Sequence, residues 1–378
     1  MNAKRDIAPD VIRGFALLGI LVVNIQYMAL SASGVSGEWT KGLANETTAF
    51  LVSTFFAGKF YLLFSLMYGY SSSYIVKDDK ANRARWIKRC FFFIVVGFLH
   101  AIFLWQGDIL FWYGLFGLVL ALFFFRSDKV LKRWNIGVYV FANASLIIVS
   151  ALLLITALLN DTKETPTPPE PLDSVMKSGT FMQIATERLH FWTSTSFSAV
   201  LLQAGMAFSA FLLGLRLSRR RYFSDPSQWA HSGRATLKAL AIGLPLEVIA
   251  GMVFVSNLGS STGTELITTL AIVAYFLIAP LLSFVYVQVL LRFIASNPHR
   301  VSWMAPAGKM SLTTYLTQSL ITSVIFAPWG FGLFQKLELW QATLLAILIW
   351  GVQIKIAHWW MERYRQGPME RLLNALTK

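Results

Sequence analysis

Apolar residues in this chain neither alternate with polar ones nor keep to one face of a helix. They gather into long runs separated by short polar connections. Runs of about 17 to 25 residues suit a hydrocarbon core of ~30 Å at ~1.5 Å per helical residue. Ten of them predict membrane helices, at roughly 14–32, 60–76, 90–106, 109–125, 136–159, 195–215, 238–255, 266–291, 308–328 and 338–360. The predicted fold class is all-α, a polytopic membrane bundle. The first run follows a basic start and could pass for a secretory signal. It exceeds the usual apolar core of about 7 to 15 residues and many equal runs follow, so it is read as the first membrane helix.

The connections differ in charge. Alternate ones, "KDDKANRARWIKR", "RSDKVLKRW", "RLSRRRYFSDPSQWAHSGRATLK" and "SNPHR", are rich in Lys and Arg, as are both termini. By the positive-inside rule these face the cytoplasm. The others, "SGVSGEWTKGLANETT", "WQGD", the segment 160–188 and "SNLGSSTGTE", are poor in basic residues and are expected outside. Within 160–188 the Pro-rich stretch 165–171 is expected to be a stiff polar loop. Both termini inside agrees with an even number of spans. A bacterial cytoplasmic (inner) membrane location follows as the expectation.

Composition supports the same class. Of 378 residues, 56% are hydrophobic, 15% aromatic and only 14% charged; the mean hydropathy is +0.56. The net charge of +14 is explained by the loop bias together with attraction to anionic headgroups. The alternative is that some basic residues hold an anionic cytosolic ligand. Nucleic-acid binding is excluded, because the basic residues lie in short loops and form no recognised module. Cys90 is the single cysteine and can form no internal disulfide. The five histidines are far apart in sequence, without the spacing of metal ligands, so no metal is expected. "AGKFYLLFSL" at 57–66 and "AGKMSLTTYL" at 307–316 echo each other, as inverted repeats do in transporters; in so Leu-rich a chain, coincidence is the preferred explanation.

Ionisable groups inside apolar runs are costly unless paired or hydrated, which makes each a functional candidate. Asp10 and Arg13, three apart at the start of the first run, can pair on one helix face. They serve either as a helix-start anchor or as a grip for an anionic group. Asn24 lies deeper on roughly the same face and can act as packing glue. His100 lies in "GFLHAIFLWQGDIL", with Asp108 after the tight turn. Asp108 suits an N-cap, and His100 suits either a hydrogen-bonded structural role or that of a general base, since histidine ordinarily titrates near neutral pH. Glu247 follows Pro245 deep in the seventh run and must be protonated or paired with a cation or a histidine. Lys309, Thr313, Tyr315 and Gln318 make the ninth run polar in its cytoplasmic half. His358 and Lys355, beside Trp359 and Trp360, read as interfacial anchors.

The segments "DVIRGFALLGILVVNI", "GKFYLLFSLMYGY", "GFLHAIFLWQGDILFWYGL", "GKMSLTTYLTQSL" and "GPMERLLNALT" resemble the YeiB-like bacterial membrane proteins (domain of unknown function 418). Departures are Lys309, where the family often has Arg, Thr314, where it often has Asn, and Arg371, where an aromatic is usual. The resemblance divides the chain into N-terminal helices 1–130, variable middle helices 131–300 with an extracytoplasmic loop near 160–190, and C-terminal helices 301–378. The N-terminal part is similar to transmembrane acyltransferases of the heparan glucosaminide N-acetyltransferase and acyltransferase-3 type. Those pass an acyl group from cytosolic acyl-CoA to an acceptor on the far side, and their first-span signature corresponds to Asp10, Arg13 and Asn24. The acyltransferase-3 pattern has a catalytic histidine where this chain has Asn24, and residues 25–59 hold no histidine.

The resemblance therefore implies an acyltransferase whose base comes from elsewhere. His100 is the candidate, oriented by Asp108, with Glu247 in reserve. Asp10, Arg13, Asn24, Lys309, Tyr315 and Gln318 are the candidates for holding the acyl-CoA donor. The rival is a carrier for a small anion or lipid-linked solute, coupled through Glu247 and His100; a third reading is a non-catalytic membrane partner. No tightly bound cofactor is expected, the partners being membrane lipids, acyl-CoA and an extracytoplasmic acceptor, with room for a homo-oligomer.

Overall fold

A computed structural model describes residues 7–34, 37–77, 79–159, 170–257 and 264–377. Among them the long elements are all helical. α1 (Ala8–Ala29) begins with Pro9 in its first turn, where the missing N–H has no helical partner to lose. α2 (Leu43–Phe55) and α3 (Lys59–Val76) are separated by a three-residue break in which Gly58 takes φ +78°. α4 (Asn82–Phe103) and α5 (Leu110–Leu120) form an antiparallel hairpin. Then come α6 (Asp128–Leu159), α7 (Pro171–Ser178), α8 (Phe181–Arg219), α9 (Gly233–Asn257) and α10 (Thr264–Ser296). The short α11 (Pro298–Val301) and α12 (Ala305–Lys309) lead into α13 (Ser311–Phe326), α14 (Leu339–Arg363) and α15 (Pro368–Leu376).

Each of the ten expected runs overlaps one of these helices, though the run at 308–328 crosses the break between α12 and α13 and that at 109–125 outruns α5. Seven helical stretches are long and apolar enough to cross a membrane by length and composition, α2 and α3 together making one of them. α5 has 11 residues and α13 has 16, short of the ~20 a crossing takes. The run expected at 195–215 lies in α8, where the side chains of 196–203 are outside the described set. Two connections need correction. Residues 43–55, expected in an outside loop, form α2, which buries Ala49 and Val52. The loop expected to reach residue 190 instead holds α7, which starts at Pro171, and the first turns of α8, which Thr180 and Gln183 start with a capping box. Residues 160–169, with most of the Pro-rich stretch, lie outside the described residues.

α1 is the hub of the bundle, packed against α3, α12, α13 and α14. Its apolar window is 61% buried, against 17% for α6. Phe141, Ile148, Leu237 and Met252 project outward from α6 and α9; exposed large apolar residues in such number suit contact with acyl chains. Close approach of helices depends on small residues. A Cβ on Gly69 of α3 would overlap the Phe211 backbone of α8, and one on Gly214 of α8 would overlap Leu66 of α3.

α15 closes one end. Its Glu370 Oε1 accepts from the amides of Leu312 (2.8 Å) and Thr313 (3.2 Å), capping the first turn of α13, while Oε2 accepts from the Thr313 hydroxyl at 2.6 Å. This basic end also holds the start of α1, the Arg216–Asp128 pair and the Arg89–Asn374 hydrogen bond. The two ends of the described chain lie together there.

Candidate functional site

His100 occupies the last turn of α4, and its carbonyl accepts from the amides of both Leu104 and Trp105 at 2.9 Å, ending the helix. The chain turns back, and Asp108 Oδ1 accepts from the Phe111 amide at 2.7 Å, capping the first turn of α5. The other carboxylate oxygen, Oδ2, lies 2.7 Å from His100 Nδ1, with the two side chains 0% and 1% exposed. Asp108 thus caps α5 and lies beside the imidazole. Neither ring nitrogen of His100 makes a hydrogen bond of normal geometry among the described residues. The Nδ1–carboxylate contact is therefore one of proximity, and Nε2, also buried, has no hydrogen-bond partner among the described residues.

Two further residues define this site. Gly97 lies across from Asp108 on α4, and a Cβ there would overlap the Phe111 amide and press on Asp108 Oδ1. Tyr315 of α13 packs its ring 5.2 Å from the imidazole, centroid to centroid, and its hydroxyl accepts from the Ile109 amide at 3.4 Å. Tyr315, expected among the donor-holding groups, stands instead beside the candidate base. Its place in the polar half of the ninth run was legible in the sequence, but not which helix lies opposite.

A narrow cavity lies one turn beyond His100, toward the end away from the basic loops. It is lined by Leu104, Trp105 and Gln106 from the α4–α5 turn, by Asp173 of α7, Arg188 of α8 and Thr322 of α13, among others. Arg188 is 3% exposed. Its presence here was missed, since residues 160–188 read as a polar loop; the Thr-x-x-Gln capping signature at 180–183 was the signal that places it on a helix.

Glu247 stands apart from this group. Its Oε2 accepts from Lys59 Nζ at 2.7 Å, with neither side chain exposed. Lys59 also donates to the Ser53 carbonyl at 3.1 Å and lies 5.7 Å from the Tyr275 ring. The pair joins the α2–α3 break to α9 just after Pro245. Glu247 is thus paired with a cation, one of its two readings, and lies away from the His100 base. Lys59 was overlooked because it stands at the edge of its apolar run.

At the basic end, Arg13 Nη1 pairs with Asp10 at 2.9 Å and its Nη2 donates to the Ser71 hydroxyl on α3. Lys309 is exposed on α12, whose Gly308 packs directly on the Asp10 backbone. Asn24 is half-buried on α1. Gln318 is buried and donates to the Leu17 carbonyl at 3.3 Å, tying α13 to α1. Of the six residues expected to hold a donor, Asp10 and Arg13 are brought together, with Lys309 on the neighbouring helix. Tyr315 and Gln318 lie deeper.

Residues 217–378 match the family described as Protein of unknown function (DUF418). The match takes in α9 and α10, which the sequence motifs did not reach. Over nearly its whole length the chain is similar to "Uncharacterized protein YxaH" of Bacillus subtilis (strain 168), at 27% identity over 97% of this chain and 93% of that one. It is likewise similar to "Uncharacterized protein YeiB" of Escherichia coli (strain K12), at 26% identity over 99% and 96%. A Bacillus acidopullulyticus protein described as a 39.9 kDa protein in the amylase 3' region is 22% identical over 97% and 92%.

Proposed function

We propose, from the chain's own site and from its similarity to YeiB-like membrane proteins, a multi-pass acyltransferase of the bacterial cytoplasmic membrane. It moves an acyl group from cytosolic acyl-CoA to a hydroxyl or amine on the extracytoplasmic side. One observation carries this reading: a buried histidine whose Nδ1 lies 2.7 Å from a carboxylate and whose buried Nε2 has no hydrogen-bond partner among the described residues. That is the arrangement expected of a general base with an orienting acid.

In the reaction, His100 Nε2 takes the proton of the acceptor O–H or N–H. The acceptor's electron pair then attacks the thioester carbonyl carbon. The tetrahedral intermediate collapses by breaking the C–S bond, and the CoA thiolate takes the proton back from the imidazolium. Asp108 stabilises that imidazolium while it lasts. Tyr315, against the ring, restrains its rotation. At the basic end, Arg13 with Asp10, and Lys309 beside them, supply the positive charge that attracts donor phosphates.

The test uses inverted membrane vesicles containing the protein and acetyl-CoA labelled in the acetyl group. Label is expected to accumulate on molecules inside the vesicles. General-base catalysis is typically worth about 10² to 10⁴ in rate, so His100→Gln should lower accumulation by at least about 10²-fold, and Asp108→Asn by less. Wild-type vesicles that transfer no label would end the proposal. A small-anion carrier is the second reading, favoured by the buried Lys59–Glu247 pair at a helix break. The paired substitutions argued below separate the two.

A further inference from the structure

Arg188 plays no part in that mechanism, yet it is the more exceptional buried charge. Its guanidinium donates to the Phe103 carbonyl at 3.0 Å and contacts the Met176 sulfur at 3.8 Å; Nε has no partner among the described residues. Neither a carbonyl nor a thioether neutralises a charge, and a buried cation without a counter-ion is costly. Lys59 and Arg13, by contrast, each face a carboxylate.

The group also faces space. Arg188 lines the narrow cavity together with Trp105, whose indole Nε1 is buried and has no acceptor among the described residues, and with Gln106. These are hydrogen-bond donors within one lining. Asp173 is the acid of the lining, and its Oδ1 is taken by the Ala32 amide at 2.7 Å. Asp173 forms no ion pair with Arg188 among the described residues, and its carboxylate in the same lining disfavours a dianion relative to a guest with a single negative charge.

We propose that the cavity walled by Arg188, Trp105 and Gln106 is an oxyanion site that takes the carboxylate or phosphodiester of the molecule approaching His100. The guanidinium fork fits two oxygens of such a group side by side, and the indole N–H supplies a further donor. Leu104, in the same lining, follows His100 by four residues, about 6 Å along a helix axis. A molecule anchored there presents its next atoms to Nε2. That last step rests on the proposed acyl transfer; the binding does not. The anion's source is either a soluble acid or the phosphodiester of a phospholipid, and the two are separated by experiment.

The full chain is purified into nanodiscs of phosphatidylcholine and titrated with acetate, with dimethyl phosphate, and with acetamide as the neutral control, following the thermal midpoint and equilibrium binding. A parallel sample is placed in nanodiscs containing phosphatidylglycerol. A soluble source gives a rise in midpoint with acetate or dimethyl phosphate and none with acetamide. A lipid source gives the rise with phosphatidylglycerol alone. In either arm Arg188→Gln loses the response. Arg188→Lys keeps a charge without the fork and binds at least tenfold more weakly, and Trp105→Phe, which removes only the indole donor, binds several-fold more weakly. A wild type stabilised by none of the anions, or an Arg188→Gln protein that responds as wild type does, overturns the site. Should Arg188→Gln fail to fold, unchanged affinity in both Arg188→Lys and Trp105→Phe overturns it equally. Anion binding in a protein that transfers no acyl group would sink the acyltransferase reading and leave this site standing.

Discussion

An ammonium and a carboxylate 2.7 Å apart with neither side chain exposed each make the other tolerable. Removing one partner of such a pair strands a buried charge at a cost of about 3 to 5 kcal/mol, whereas replacing both by apolar groups is often neutral. Lys59→Met and Glu247→Leu should therefore each lower stability by that amount in unfolding titrations of the purified protein, and the double variant should recover most of it. Two single variants as stable as wild type would mean the residues do not act as a unit. If the stable double variant still transfers label, the pair is structural and the carrier reading falls. This pair also shows where residue-level reading stops. His100, Asp108 and Glu247 stand out against apolar neighbours, whereas Lys59 sits at the edge of its run and Arg188 in a stretch too polar to look buried. A side chain's partner comes from another helix, up to hundreds of positions away, and nothing local encodes it.

Helices approach each other here where glycine permits it, and the α4–α5 hairpin is the case on which the candidate base depends. A Cβ on Gly97 would meet the Phe111 amide and Asp108 Oδ1, so Gly97→Ala must push α5 away and carry the carboxylate from the imidazole. Overpacking typically costs about 1 to 3 kcal/mol. We expect a loss of that order in unfolding titrations, together with a fall in label transfer approaching that of Asp108→Asn. Gly137→Ala on α6 is the control, since nothing lies within 4 Å of its added Cβ, and there the gain in helix propensity should leave stability equal or higher by up to about 1 kcal/mol. Equal behaviour of the two variants would show that the close approach is not required. The apolar runs foretold an all-helical bundle because length and hydropathy are local properties, while seven helical stretches among the described residues, not ten, are long and apolar enough to cross a membrane. The break at Gly58, the early start of α8 and the capping of α13 by Glu370 were not foretold, since each depends on polar residues whose role is fixed only by what packs around them.

At the scale of the molecule, the basic loops and both described chain ends lie at one end of the bundle, and the His100 site opens toward the other. Reporter domains fused after Lys80 and after Arg221 should therefore be cytoplasmic, and one fused after Thr40 extracytoplasmic. A cytoplasmic signal from the Thr40 fusion would break the arrangement. Pro168, the other extracytoplasmic fusion point the charge pattern suggests, lies outside the described residues. The order in which the chain is made adds a constraint through Lys59. Its carboxylate follows 188 positions later, and at about 5 to 20 residues per second of synthesis that is a wait of roughly 10 to 40 seconds. During the wait α3 enters lipid with an unmatched ammonium, at about 2.5 to 3.5 kcal/mol on insertion scales if the charge reaches mid-bilayer. The apolar residues of α3 must outweigh that cost on their own. Until α9 emerges, the nascent bundle keeps one position at which it still needs water, a lipid phosphate or the insertion machinery as a stand-in.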